Sequence, residues 1–322
     1  MKILCTYKPT EQPWGGANTF LRALYSEWEK SGDEVIFDIN SNDFDLVFMN
    51  QLSIGRGNGG GYLNISDIST LKIKRPKVPI IVRLVNLRHH SNPSIFYRLK
   101  TDYSKDKDTV KLSNIADHAI YQSHYQKSFF KARGSDPENF TVIHNGASED
   151  FLNFKRTPPE LTQKDNLIIV SSSFSKRATK RHDLISKLSL CENVQIHHMG
   201  AWPDNVPLNN VNLCGVLEHE EMLSLFKKAH YFLHPAVKDP CPNSMIEALC
   251  AGLPVIYNPE RGSGTELGKN HGIAINTNDI PATLLSARAQ YQKLSSKLLN
   301  DRFEFSIKLA AKSYSDVFKS YL

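Results

Sequence analysis

The sequence has no apolar run approaching the roughly 18 residues that a bilayer-spanning helix needs. The opening MKILCTYKPT is too short in its apolar part for a secretory signal, so the expected location is cytoplasmic, with peripheral contact at the inner membrane face left open. Cysteine is scarce. Cys5, Cys191, Cys214, Cys241 and Cys250 are five in number and form no C-x-x-C pair, which fits a reducing compartment and argues against a disulfide framework. Clustered metal ligands are lacking too. Asp43-Phe-Asp45 leads directly into an apolar run and reads as a solvated strand approach, while His89-His90 and His197-His198 lack the partners of a zinc site, so no metal is implied. Gly55-Arg-Gly57-Asn-Gly59-Gly60 fits the text G-x-G-x-x-G, but its context is missing. Tyr62–Asp67 reads as strand or loop rather than helix, and Lys74–Val82 offers no acid for a ribose, so a nicotinamide cofactor is excluded. The run Gly55–Gly61 is the only low-complexity patch, costly to order, and no solenoid repeat is evident.

What is present suits a two-domain α/β protein. A chain of 322 residues with 40% hydrophobic content can bury two cores. Its net charge of +6 favours phosphate-bearing substrates or an anionic membrane surface. The basic clusters Lys72–Lys77 and Lys176–Arg181 have no interleaved aromatics, so nucleic acid is not an expected partner. Strand-prone runs at Ile3–Tyr7, Val35–Ile39, Leu46–Met49, Ile80–Leu84, Ala119–Gln122 and Thr141–His144 alternate with longer stretches, among them the helically spaced Ala17–Lys30. A second series runs through Leu167–Ser171, Gln195–Met199, Val211–Leu213, Tyr231–Leu233 and Pro254–Tyr257, with helices expected at His182–Leu190, Glu218–Lys228 and Ser244–Ala251. Parallel sheets in both halves are the economical arrangement. The boundary is expected near Phe151–Asn166, giving domains at 1–155 and 156–302 and an amphipathic closing helix over 303–322.

The most informative segment is Tyr231-Phe-Leu-His-Pro-Ala-Val-Lys-Asp239-Pro-Cys-Pro-Asn243-Ser244-Met245-Ile246-Glu247-Ala-Leu-Cys-Ala-Gly252-Leu-Pro254-Val255, which reads strand, tight loop, short helix, glycine, strand. A loop ending in a helix start presents the N–H groups of Asn243, Ser244, Met245 and Ile246 to a phosphate. Glu247 then has two readings, a ribose-hydroxyl acceptor or the partner of Ser244 in a capping box. Asp239 likewise either faces sugar hydroxyls or forms a turn.

This segment resembles the donor-site signature of retaining glycosyltransferase family 4, of the GT-B fold. Glu247-Ala248 and Gly252-Leu253-Pro254-Val255 match it, and Asp239 stands at the first acidic position, where family members usually carry Glu. Gly15-Gly16 resembles the family's glycine-rich loop near the reaction centre. Ile143-His-Asn145-Gly146 resembles its Asn-Gly signature. The run Ser171 to Asp183 stands where the family has a basic pair reaching the donor diphosphate, with Lys180 as the lysine and Arg177 as the candidate arginine; a solvated basic run is the alternative. Glu266 resembles the glutamate at the family's post-strand helix start, or else a helix-cap carboxylate. Arg83-Leu-Val-Asn86 occupies the region of the family's first-domain histidine, with His89 and His90 beyond, and none is assigned that role.

The resemblance implies two facing Rossmann-like domains, the acceptor on the first and a nucleotide diphosphate sugar on the second, with the terminal helix crossing back to the first. It also implies transfer with retention onto a saccharide, glycolipid or small-molecule acceptor. No separate cofactor is required. Lys180, Arg177, Asp239 and Gly16 are the expected catalytic set, and Gly15, Gly16, Arg177, Lys180, Asn243, Ser244, Met245, Glu247 and Glu266 the donor-binding set. Two alternatives stand beside it: a GT-B phosphorylase, although no pyridoxal lysine can be assigned, and a non-catalytic nucleotide-sugar-binding protein.

Overall fold

The computed structural model describes residues 1–10, 16–38, 40–53, 55–56, 63–88 and 103–322. The chain divides into two compact units, Met1–Gly146 with Ile307–Leu322, and Ala147–Ser306. The expected divisions at 155/156 and 302/303 both fall inside the second unit.

In the first unit, six strands form one parallel sheet: β1 (Lys2–Cys5), β3 (Glu34–Ile36), β4 (Leu46–Asn50), β6 (Ile80–Arg83), β7 (His118–Tyr121) and β8 (Phe140–Val142), in spatial order β3-β1-β4-β6-β7-β8. The short β2 (Tyr7–Lys8) and β5 (Gly55–Arg56) pair separately. Strands β4, β6 and β7 are buried along their whole length, which is why they are mostly apolar without alternation, a polar residue standing only at one end of each: Asn50, Arg83 and His118. Asp45 accepts the Lys2 N–H at 2.7 Å and Asp43 pairs with the Lys2 ammonium, so the Asp43-Phe-Asp45 motif fixes the start of β4.

Helix Gly16–Lys30 buries Phe20, Leu21, Leu24, Tyr25 and Trp28. These side chains share a core with Ile307, Ala310, Ala311, Tyr314 and Phe318 of helix Ile307–Lys319. The rings of Trp28 and Phe318 lie 5.1 Å apart, and those of Phe48 and Tyr314 5.7 Å apart and edge-on. A fully buried side chain of Phe size contributes roughly 1.5–3 kcal/mol, so this seam accounts for the terminal helix belonging to the first unit.

Two local expectations are corrected here. The stretch expected as strand or loop up to Asp67 gives way at Ile65 to a helix spanning Ile65–Lys74, begun by the Asp67 carboxylate accepting the Asn64 N–H at 2.9 Å. The closing segment is not one helix from Phe303. A 3-10 turn covers Arg302–Phe305, Ser306 is extended (φ −83°, ψ 150°), and the helix starts at Ile307. Ser306 is extended where it forms a parallel bridge with Ala147, whose N–H donates to Phe305 O at 2.8 Å. The two points where the chain enters and leaves the second unit are therefore hydrogen-bonded neighbours.

The second unit holds β9 (Leu167–Ser173), β10 (Val194–Gly200), β11 (Val211–Gly215), β12 (Tyr231–His234), β13 (Val255–Tyr257) and β14 (Gly272–Ala274), again all parallel, in order β11-β10-β9-β12-β13-β14. Strand β14 and the long helix Ile280–Asp301 have no counterpart among the sequence expectations; Asp279 caps that helix by accepting the Ala282 N–H at 3.0 Å. Strand β9 pairs with β10 on one side and β12 on the other, so the chain builds outward in one direction and returns to build in the other. The point between β9 and β12 is therefore the topological switch point, and doubly wound folds bind ligands at the carboxyl edge of the sheet there.

Candidate functional site

Three loops of the second unit converge at this switch point. Strand β9 ends at Ser173 and is followed by a 3-10 turn at Ala178–Lys180; Arg181, in the left-handed region (φ 55°), then hands the chain to helix His182–Leu188. The loop after β12 is stitched to this turn, since the Val237 N–H donates to Thr179 O at 2.8 Å. Between the loops, Lys180 Nζ donates to Asp239 Oδ2 at 2.9 Å, the two side chains being 32% and 17% exposed. The loop after β13 joins through Ser263, whose N–H and Oγ both donate to Asp239 O, at 3.0 and 3.2 Å. Asp239 is thus bonded to two loops besides its own.

The electrostatics of the pair are set by burial and by each other. Burial works to raise the Asp239 carboxyl, but the charge of Lys180, neighbouring His234 and hydrogen bonds from Lys180 and the Cys241 N–H outweigh it and hold the group below its ordinary value. His234, the last residue of β12 and buried, goes the other way. Desolvation lowers its imidazole to about 4, Asp239 opposing this and Lys180 adding to it, so the ring is neutral at pH 7. Its position inside the signature was visible in the sequence, but nothing in its spacing marked it as a neighbour of the carboxylate.

Helix Asn243–Cys250 follows, and it corrects the capping box. Its N-cap is Pro242, not Ser244, and Glu247 lies beyond the first turn. The N–H groups of Met245 and Ile246 both donate to Pro242 O at 3.2 Å, and the Met245 side chain is buried in the core. Both amides of that pair are therefore engaged inside the helix, whose first two residues are Asn243 and Ser244. At the far end, Gly252 (φ 80°) donates to Leu249 O at 3.0 Å and Leu253 to Ala248 O at 2.8 Å, a Schellman stop that accounts for the glycine in Gly-Leu-Pro-Val. Glu247 is half-buried, and among the described residues its carboxylate has no hydrogen-bond or ion-pair partner. Burial pushes it up to about 7. A desolvated, unpartnered carboxyl of this kind is suited to accepting hydroxyl hydrogen bonds from a ligand.

The other basic residues separate by environment. Lys176 forms an exposed pair with Asp204 at 3.2 Å. Arg177 is exposed and caps the 3-10 turn with its backbone. Arg181 is committed to Asp183 through two bonds of 3.0 Å. Glu266 sits half-buried in the first turn of helix Gly264–Gly268. In the first unit, Gly16 opens helix Gly16–Lys30 and is exposed, whereas Gly15, His89, His90 and Gly57–Gly61 lie outside the described residues.

The first unit also contains a polar centre that spacing did not reveal. Arg83, 1% exposed at the carboxyl end of β6, donates to Asn50 Oδ1 at 2.7 Å and to Gln122 Oε1 and Asn145 Oδ1 at 2.9 Å, with its guanidinium 4.6 Å from the Phe20 ring. Among the described residues its partners are carboxamides and none is a carboxylate. Asn145, singled out with Gly146 in the sequence, holds this arginine.

Among the described residues no helix is long and apolar enough to cross a membrane, and no group of three or more His, Cys, Asp or Glu side chains is placed to hold a metal ion. Residues 165–291 match the family described as glycosyl transferases group 1. No curated protein matches the chain in sequence. Solved structures match its fold over nearly all of its length. HepE from Anabaena, in complex with UDP-glucose, is 16% identical with a TM-score of 0.67, over 99% of this chain and 100% of its own. Sucrose-phosphate synthase from Thermosynechococcus elongatus is 14% identical with a TM-score of 0.67, over 99% and 98%. The lipopolysaccharide outer core galactosyltransferase WaaB is 15% identical with a TM-score of 0.69, over the whole of both chains. The chain therefore has the fold of the GT-B glycosyltransferases, and the match to the glycosyl transferases group 1 model extends over residues 165–291.

Proposed function

We propose that this chain is a retaining, metal-independent glycosyltransferase that moves a sugar from a nucleotide diphosphate donor onto a saccharide, glycolipid or small-molecule acceptor. The observation that carries this reading is the Lys180–Asp239 pair at the switch point of the second unit, directly preceding the helix that bears Glu247. The group 1 match over residues 165–291 and the complexes of HepE with UDP-glucose and with UDP support a nucleotide diphosphate sugar as donor. The name of WaaB supports a saccharide or glycolipid acceptor.

In this reading Glu247 takes the ribose hydroxyls, and the amides of Asn243 and Ser244, with the helix dipole behind them, receive a phosphate. Glu266 completes the donor pocket. Lys180 neutralises the leaving diphosphate, and Asp239 orients the sugar through its hydroxyls. Arg177, exposed and at the same turn, is the second cation for the diphosphate. The first unit takes the acceptor, with the glycine pair Gly15 and Gly16 allowing close backbone approach. As the bond from the anomeric carbon to the phosphate oxygen breaks, the electron pair leaves with the nucleoside diphosphate. The acceptor oxygen bonds to the same face of the carbon, and its proton passes to the departing phosphate. The protein's share of this chemistry is electrostatic: positive groups fixed where negative charge develops. Lys180 and the helix start supply that charge, so a divalent cation is dispensable.

The experiment is transfer by purified protein from a panel of nucleotide sugars, with excess chelator and NMR assignment of the first product's anomeric linkage. Transfer with retention is expected. Activity restored only by added divalent metal contradicts the electrostatic mechanism, and an inverted linkage contradicts retention.

A further inference from the structure

With its ammonium 2.9 Å from Asp239 and only 32% of its side chain exposed, Lys180 is not an open phosphate receptor in this conformation. Its strongest neighbour is a carboxylate whose own environment keeps it ionised. Asp239 is also fixed in place: its carbonyl holds Ser263, its carboxylate takes the Cys241 N–H, and Val237 of its own loop is bonded to Thr179. The carboxylate is held through its own backbone and loop, whereas the ammonium reaches it at the end of a four-carbon stem.

We propose that Asp239 is a displaceable counter-ion for Lys180, so that an arriving nucleoside diphosphate takes the lysine from Asp239 and in doing so frees that carboxylate for the donor sugar. This rests on the donor reading above and adds a regulation to the same site. A diphosphate carries more charge than one carboxylate and presents several acceptor oxygens, so it out-competes Asp239 for the ammonium, but part of its binding energy is spent breaking a pair already made. Once released, Asp239 regains unpaired lone pairs, which sugar hydroxyls satisfy. Diphosphate binding and sugar orientation are thereby linked, and an empty site keeps its carboxylate masked.

The linkage predicts effects of opposite sign from one substitution. In Asp239→Asn the lysine is released in advance, so the nucleoside diphosphate binds more tightly, by about three- to tenfold, the range expected for removing one partly exposed competing ion pair. Transfer from the intact nucleotide sugar falls in the same variant, because the amide is a poorer acceptor for the sugar. A merely structural role for Asp239 would weaken both.

The test is calorimetric titration of uridine, guanosine and adenosine diphosphates into wild type, Asp239→Asn, Lys180→Gln and the double variant, with circular dichroism to confirm folding. The inference requires tighter binding in Asp239→Asn and no tightening by the same substitution when Lys180 is already Gln. Equal tightening in both backgrounds overturns it, since loss of simple charge repulsion would then be the whole effect. Unchanged or weaker binding in Asp239→Asn overturns it while leaving the donor reading intact. If none of the three nucleotides binds wild type, both fall. Should Asp239→Asn misfold, Asp239→Ser takes its place in the same cycle, and the same outcomes decide.

Discussion

Arg156 Nη1 donates to Gly252 O at 2.9 Å, joining the segment that enters the second sheet to the stop of the helix that bears Glu247. The same guanidinium donates to Phe226 O at 3.1 Å and Ala229 O at 2.6 Å, the last carbonyls of helix His219–Lys228. One buried cation thus closes two helix ends.

Arg156→Met should lower unfolding free energy by about 2–4 kcal/mol, because three buried carbonyls lose a charged donor. Gly252→Ala should cost about 1–3 kcal/mol, since φ is +80° and a new Cβ would lie 2.8 Å from Leu299 Cδ2. Denaturant melts at pH 7 measure both, and losses below about 0.5 kcal/mol in either would contradict the assignment.

Acid should destabilise the fold before the carboxylates titrate. Desolvation holds His118, His182, His197, His198, His230, His234 and His271 below their ordinary value, His198 and His234 at about 4. Between pH 6.5 and 4 the unfolded chain binds more protons at these sites than the folded one, so stability present above pH 6.5 is lost as pH falls through that window. Glu247, raised to about 7, acts oppositely from pH 7 to 4.5 but is a single group. Thermal melts from pH 7.5 to 4.5 should show a net fall of roughly a few kcal/mol; a flat profile across that range would count against buried neutral imidazoles.

Glu247→Gln should separate stability from binding. At pH 8 wild type holds an ionised carboxylate in a desolvated position and the variant does not, so the variant is the more stable protein there. The gap narrows as pH drops through 7 toward 4.5, where the wild-type group is protonated. Nucleoside diphosphate affinity should fall by about tenfold or more, as expected for one charge-assisted hydrogen bond. A variant that is no more stable at pH 8 and binds nucleotide normally would remove Glu247 from the site.

Periodicity and burial made the strands legible, because β4, β6, β7 and β12 are buried from end to end and are apolar except at a terminal residue: Asn50, Arg83, His118 and His234. The resemblance singled out Asp239 and Glu247 in the signature and Lys180 in the separate run from Ser171 to Asp183. Half of the signature is nonetheless structural: Gly252 is a helix stop. Helix Ile65–Lys74 was missed because an Asp67 cap and not an apolar stripe starts it, and β14 because three residues carry no period. The long-range hydrogen bonds of Arg83 to Asn50, Gln122 and Asn145, and of Arg156 to two helix ends, bring together residues far apart in sequence. Only the folded sheet order makes such partners neighbours. The Lys180–Asp239 contact is of the same kind: both residues were singled out, and their pairing was not.

The central claim, that Lys180 stabilises a leaving diphosphate, is tested most directly by the turnover number for nucleoside diphosphate release from the preferred nucleotide sugar in wild type, Lys180→Ala and Lys176→Ala. Lys180→Ala should lose about 100- to 1,000-fold, the range for removing one preorganised group from a developing anion, while Lys176→Ala, which gives up only an exposed pair with Asp204, should stay within about threefold of wild type. Equal, small effects of both substitutions would contradict the account.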